Sequence, residues 1–256
     1  MDLRLETAIS AIKKSGEYLR SEFLKKHSIS IKSDKTVLLG EDKKSEEILI
    51  SYISNSFPND TFLTEERVTK YNADSVWVID PLCGSYSYLR GVETWSISAA
   101  YITSEGSQIG LVYQPYLQNI FYSQKGKGAF MNNQKINPTK IIDVSEAFIS
   151  IEHGAFNNPD IQLSQLIKKI KRLRVGHGSG GELSYVAAGF LDAVIKTDQS
   201  IMHFAGGRAI VEESGGVFLD FFGKNAPLFL DRQKHINYLA CNNNLLAKNI
   251  LDLIVK

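Results

Sequence analysis

Two cysteines, Cys83 and Cys241, are all that 256 residues contain, and neither belongs to a CxxC pair. A disulfide scaffold is thereby excluded, and the reading is two free thiols in a reducing cytoplasm. Net charge is equally scarce, with 29 Lys and Arg against 28 Asp and Glu. No field of one sign covers the molecule, which argues against nucleic acid or an anionic membrane as partner. No apolar run approaches membrane-spanning length, and the first residues carry Asp2 and Glu6 inside an amphipathic pattern, unlike a signal peptide. Internal repeats, low-complexity tracts and linkers are lacking too. What remains is a globular, cytoplasmic protein whose 43% hydrophobic content supports a sizeable core, built as one unit of two packed halves.

Leu3, Leu5, Ala8, Ile9, Ile12 and Leu19 recur near helical spacing, so the first two dozen residues read as one amphipathic helix. A loop with Lys32, Ser33, Asp34 and Lys35 follows. A second helix is signalled by Asp42 as N-cap, Glu46 and Glu47 in its first turn and Ile48, Leu49, Tyr52 and Ile53 on one face, ending before Pro58. From Val76 to Phe130 short runs rich in Val, Ile, Tyr and Phe predict consecutive, largely antiparallel strands. From Pro138 onward strands and helices alternate: "LSQLIKKIKRL" reads as a helix, "GELSYVAAGF" as another opened by "GHGSGG", "LDAVIKT" as a strand, and "FAGGRAIVEESGG" as a helix closed by Gly215 and Gly216. The order gives an α+β half over 1–137 and an α/β half over 138–256.

Chemistry concentrates in "WVIDPLCGSYSYLRG", Trp77 to Gly91, where a buried strand delivers Asp80 to the lip of a sheet before a small-residue turn. Phosphate chemistry assisted by metals needs converging carboxylates, a backbone N–H cradle and a group that orients water. Asp42, Glu65 and Glu66 in "FLTEER", Asp80, Gly84 and Ser85 are the candidates. Taken in order, four segments resemble the inositol monophosphatase superfamily, which includes inositol and sugar phosphatases and bisphosphate nucleotidases. They are "EDKKSEEILISYISNSFPNDTFLTEE", "WVIDPLCGSYSYLRG", "IGLVYQPYLQNIFYSQKGKGAF" and "MHFAGGRAIVEESGG". The resemblance implies a layered αβαβα sandwich, of mixed α/β and α+β character, as in the inositol monophosphatase and fructose-1,6-bisphosphatase type. It also implies a homodimer acting on a small phosphorylated metabolite.

Carried over residue by residue, the resemblance implies that Glu65, Asp80 and the Leu82 carbonyl hold a first magnesium, with Asp80 bridging to a second. Gly84 and Ser85 would hold the phosphate at a helix N-terminus, and Ser85 with Asp42 would orient the attacking water. Two departures fall on the second metal, where Cys83 and His203 replace aspartates. Magnesium wants hard oxygen ligands, so a thiol and an imidazole suit it poorly. Lys196 stands where inositol-specific members carry an acid, and a cation there suits a substrate with an additional anionic group. Three readings follow: a weakened magnesium-dependent phosphomonoesterase, a phosphoester-binding or regulatory protein without catalysis, and a zinc enzyme using Asp80, Cys83 and His203. "GHGSGG" is neither a Walker A loop nor a dinucleotide fingerprint, and is read as a close backbone approach to the substrate side. His177 within it reads as an exposed-loop residue, "KKIKRLR" as a solvated helix face, and His153 and His235 show no partners.

Overall fold

The computed structural model describes residues 2–31, 37–65, 75–176 and 178–255; the Lys32 to Lys35 loop, Glu66 and His177 lie outside them. The amphipathic N-terminal stretch is α1 (Leu3–Glu22), whose first turn is capped by the Asp2 carboxylate accepting from the Arg4 N–H. Two short strands, β1 (Ile29–Ile31) and β2 (Val37–Leu39), pair antiparallel and lead directly into α2 (Gly40–Ser56). A seven-stranded sheet follows in sequence order: β3 (Phe62–Thr64), β4 (Ser75–Cys83), then, after the one-turn α3 (Ser85–Leu89), β5 (Ser96–Thr103), β6 (Gly106–Gln114), β7 (Asn119–Gln124), β8 (Gly128–Met131) and β9 (Gln134–Ile136). Only β3 and β4 run parallel among these neighbours.

The rest of the chain comprises β10 (Phe148–Ile151), α4 (Ser164–Lys169), β11 (Arg172–Val175), α5 (Ser179–Ala187), β12 (Ala193–Ser200), α6 (Ile201–Ser214), β13 (Val217–Leu219), β14 (His235–Cys241) and α7 (Asn244–Ile254). Its five strands lie in the order β11-β10-β12-β14-β13, parallel from β11 to β12 and antiparallel beyond.

Alternation along the strands explains the layering. On β4, Trp77 and Ile79 pack with Leu5, Ile12 and Leu49 of α1 and α2, whereas Val76 and Val78 pack with Leu183 of α5 and Phe204 and Ile210 of α6. On β12, Val194 joins that same middle core, while Ala193 and Ile195 face Leu166 of α4 and Leu246 and Ile250 of α7. Both strands are buried on both faces, so their sequences read as continuous apolar runs. Helices, sheet, helices, sheet, helices is the resulting order, an αβαβα sandwich.

One expected helix is shortened. "LSQLIKKIKRL" forms α4 only as far as Lys169, and Arg172–Val175 turns into edge strand β11, parallel to β10. The apolar spacing fits either structure; the unpaired edge of β10 decides, because its backbone groups gain ladder partners from β11. The basic run from Lys168 to Arg174 is therefore split between a helix end and a strand, and is no single helix face.

Candidate active site

The end of β4 positions the central carboxylate. Its pairing with β5 shifts register between Asp80 and Cys83, and Pro81, which has no N–H to give, sits inside the irregularity. Gly84 then takes the left-handed conformation, φ 90°, that starts α3. Asp80 is buried, its Oδ1 accepting from the Leu82 N–H at 3.3 Å and its Oδ2 lying 3.0 Å from Nδ1 of His203. His203 comes from the first turn of α6, and its Nε2 lies 3.9 Å from Oε1 of Glu65. The imidazole thus stands between two carboxylates.

Four helix N-termini gather around this strand end. Ser45 of α2 donates its hydroxyl to the Pro81 carbonyl at 2.7 Å. Asp42 in the same helix is buried and sits at the third helical position rather than at the N-cap; Leu39 is the N-cap, and its N–H donates to Asp42 Oδ2 at 2.8 Å. The early helix start follows from β2 running straight into α2. α3 begins at Ser85 but has five residues, so its dipole is slight and backbone N–H groups alone remain for an anion. At the start of α5, a Cβ on Gly178 would lie 3.7 Å from the Cys83 carbonyl and 3.9 Å from its sulfur. α6 contributes His203.

Cys83 does not behave as an exposed or activated thiol. It is buried, and burial followed by the neighbouring Asp80 charge raises its pKa well above the ordinary range, although the Gly180 N–H and Lys196 act the other way. Among the described residues no three His, Cys, Asp or Glu side chains assemble as a metal-binding group. For magnesium, the chemistry of the donors divides the site. Glu65, Asp80 and the Leu82 carbonyl are hard oxygens of the kind that suit one ion; the Cys83 thiol and the His203 imidazole do not suit a second.

Lys196 is placed differently from the expectation. Its side chain is 1% exposed and the ammonium lies 2.8 Å from Oε2 of Glu182, so it does not reach an open pocket to meet a substrate anion. Glu182, missed in the sequence, also accepts from Ser150 Oγ at 2.5 Å and from Arg174 Nε at 3.4 Å. The signal was in the glycine-rich stretch: a Cβ on Gly176 would fall 1.7 Å from Glu182 Oε1, so "GHGSGG" clears room for a buried carboxylate as well as for Cys83. Arg232 was missed for a better reason. It lies in an unpatterned loop and donates to the Glu65 carbonyl at 2.8 Å. His235 pairs with Asp198 on the surface at 2.8 Å, away from this cluster.

The whole chain, residues 1–256, matches the inositol monophosphatase family. Fructose-1,6-bisphosphatase/inositol-1-monophosphatase of Thermotoga maritima is 27% identical over 228 residues, covering 88% of each chain. Inositol monophosphatase 1 of Sus scrofa is 27% identical over 260 residues, covering 96% of this chain and 92% of its own. The solved structure of a Thermotoga maritima IMPase superposes with a TM-score of 0.89 at 25% identity, over 98% of this chain and 96% of that one.

Proposed function

Because this chain belongs to the inositol monophosphatase family, we propose that it binds a small phosphate monoester at Gly84 and Ser85 and hydrolyses it slowly with a single magnesium. The observation that carries this reading is the convergence of Glu65, Asp80 and His203 at the end of β4, where α2, α3, α5 and α6 all begin. Helix N-termini aimed at one place favour an anion. Backbone N–H groups at Gly84 and Ser85 donate to the phosphate oxygens, and the Ser85 hydroxyl, with Asp42 behind it, orients the attacking water. Glu65, Asp80 and the Leu82 carbonyl would hold the magnesium, which when bound supplies positive charge against the phosphate. Lacking the second ion, the site stabilises the leaving oxygen less, a loss comparable to ~100-fold to 1000-fold in rate for one preorganised electrostatic contact.

A second reading, phosphoester binding without turnover, is favoured by one specific contact: His203 lies on Asp80. Phosphate release from a panel of monoesters, with magnesium, manganese and zinc supplied separately, separates the two. Release above background with magnesium supports the enzyme. No release, together with millimolar binding of inorganic phosphate, supports the binding protein; absence of both removes both readings.

A further inference from the structure

The stretch "DRQKH", Asp231 to His235, forms a tight turn ahead of β14. Asp231 Oδ1 accepts from the Gln233 N–H at 2.9 Å and the Asp231 carbonyl from the Lys234 N–H at 3.2 Å, while the Lys234 ammonium lies 4.7 Å from the centre of the Phe229 ring. His235 then pairs with Ser200 in the β12–β14 ladder, so the turn, with Arg232 inside it, is fixed against the start of α6. Ser200 is the N-cap residue of that helix, yet its side chain takes no hydrogen bond from the first turn; its hydroxyl donates to the Arg232 carbonyl at 3.0 Å. A capping serine contributes about 1 kcal/mol to its helix. α6 forgoes that contribution, and the contact made in its place ties the loop to the helix.

Arg232 passes the constraint on. Its Nη1 donates to the Glu65 carbonyl at 2.8 Å. Glu65 stands one position beyond β3, a three-residue edge strand whose ladder with β4 ends at the pair Thr64 and Ile79. The ladder therefore fixes Thr64, and the arginine extends the hold to the next residue. At the other end of the chain of contacts, α6 is packed on β4, the strand of Asp80, with Phe204 and Val78 in one core. From β4 through α6, Ser200 and Arg232 to Glu65, a continuous path sets how far the Glu65 backbone lies from Asp80.

We propose that Arg232 is a positioning residue, which holds the Glu65 backbone where the carboxylates of Glu65 and Asp80 both reach one divalent ion. The proposal rests on the reading that Glu65, Asp80 and the Leu82 carbonyl hold a single magnesium. Charge and geometry make opposite demands on such an arginine. A guanidinium repels a neighbouring cation, so by charge alone its removal strengthens magnesium binding; by geometry its removal lets Glu65 drift and weakens binding. Outer contacts that orient a metal ligand typically change affinity by about 10- to 100-fold. A repulsion screened by solvent at a partly exposed side chain is smaller, so geometry wins.

Isothermal titration calorimetry of magnesium into the protein, without phosphate or substrate, tests it, and urea midpoints check that each variant is folded. Arg232→Ala should bind magnesium about tenfold more weakly than the parent. Arg232→Lys, which keeps the charge and a donor, should recover part of that loss. Ser200→Ala, which frees the Arg232 carbonyl, should weaken binding several-fold, and combining it with Arg232→Ala should cost nothing further, because the two act in series. Arg232→Ala binding magnesium as tightly as the parent, or more tightly, overturns the role. A Ser200→Ala loss that adds in full to that of Arg232→Ala overturns the path from α6 to Glu65. Should Arg232→Ala prove unfolded, Ser200→Ala decides alone, and parental affinity in it overturns the role. A parent that binds no magnesium overturns the single-magnesium reading and the role with it, whereas a parent that binds and variants that match it overturn the role only.

Discussion

His203 reaches Asp80 across 123 positions of sequence, and its second nitrogen lies 3.9 Å from Glu65, so the ring fills the space between two carboxylates that a divalent ion would otherwise neutralise. Cys83 is buried too, and burial followed by the Asp80 charge raises its pKa well above the ordinary range. Restoring oxygen at one of these positions leaves the other obstacle in place and adds a like charge beside Asp80. Cys83→Asp or His203→Asp alone should therefore change magnesium binding little. The double variant should gain more than the sum of the singles, with phosphatase activity raised at least ~100-fold, roughly one preorganised electrostatic contact. If it folds normally and exceeds the parent's activity on no monoester, this account of Cys83 and His203 is wrong. Asp80, Cys83 and His203 could be singled out beforehand because each sits at a fixed place in a short motif. Lys196 could not be placed, because its partner Glu182 lies on a different element and only tertiary packing brings the two within 2.8 Å.

Elements were legible where one force dominated. α1 has an apolar face at helical spacing, and Gly215 closes α6 at φ 99° as its position after "EES" suggested. The segment around Lys168 to Arg174 was misread because its apolar spacing is compatible with two structures and the vacant edge of β10, a tertiary fact, chose between them. α6 also carries a requirement that periodicity cannot reveal. A Cβ on Gly206 would meet Ser98 Oγ at 2.5 Å, the Leu111 carbonyl at 2.6 Å and the Ala99 carbonyl at 2.8 Å, so the helix lies directly on the backbones of β5 and β6. Gly206→Ala gains about 1 kcal/mol in helix propensity, but it must push α6 off the sheet. The net expectation is a loss of about 1–3 kcal/mol, read as a lower urea midpoint with unchanged slope. A variant as stable as the parent would show that the helix does not rest on those carbonyls.

Across the whole molecule, stacking five layers buries groups that ionise in alkali. Burial raises the pKa of Cys241 to about 12 and lifts those of Cys83 and Tyr238 well above their ordinary values. The succession of strand and helix patterns gave an α+β half and an α/β half, and the five-layer order came from the resemblance to the family; which thiols and phenols the layers would enclose was not legible, since Cys241 sits at the end of a strand like many exposed residues. Unfolded thiols ionise near pH 8.5, whereas these stay neutral in the folded chain. Above that pH the unfolded state holds fewer protons, so stability, full below it, falls as pH rises and goes on falling until the folded thiols titrate, near pH 12 for Cys241. Each thiol contributes a slope of about 1.4 kcal/mol per pH unit. Urea midpoints measured from pH 8 to pH 10 should therefore decline steeply. In a Cys83→Ala, Cys241→Ala variant the decline should be delayed until tyrosines begin to ionise in the unfolded chain, near pH 10. An unchanged slope in that variant would mean that the thiols are accessible or already ionised in the folded protein, and the burial argument for Cys83 at the active site would fall with it.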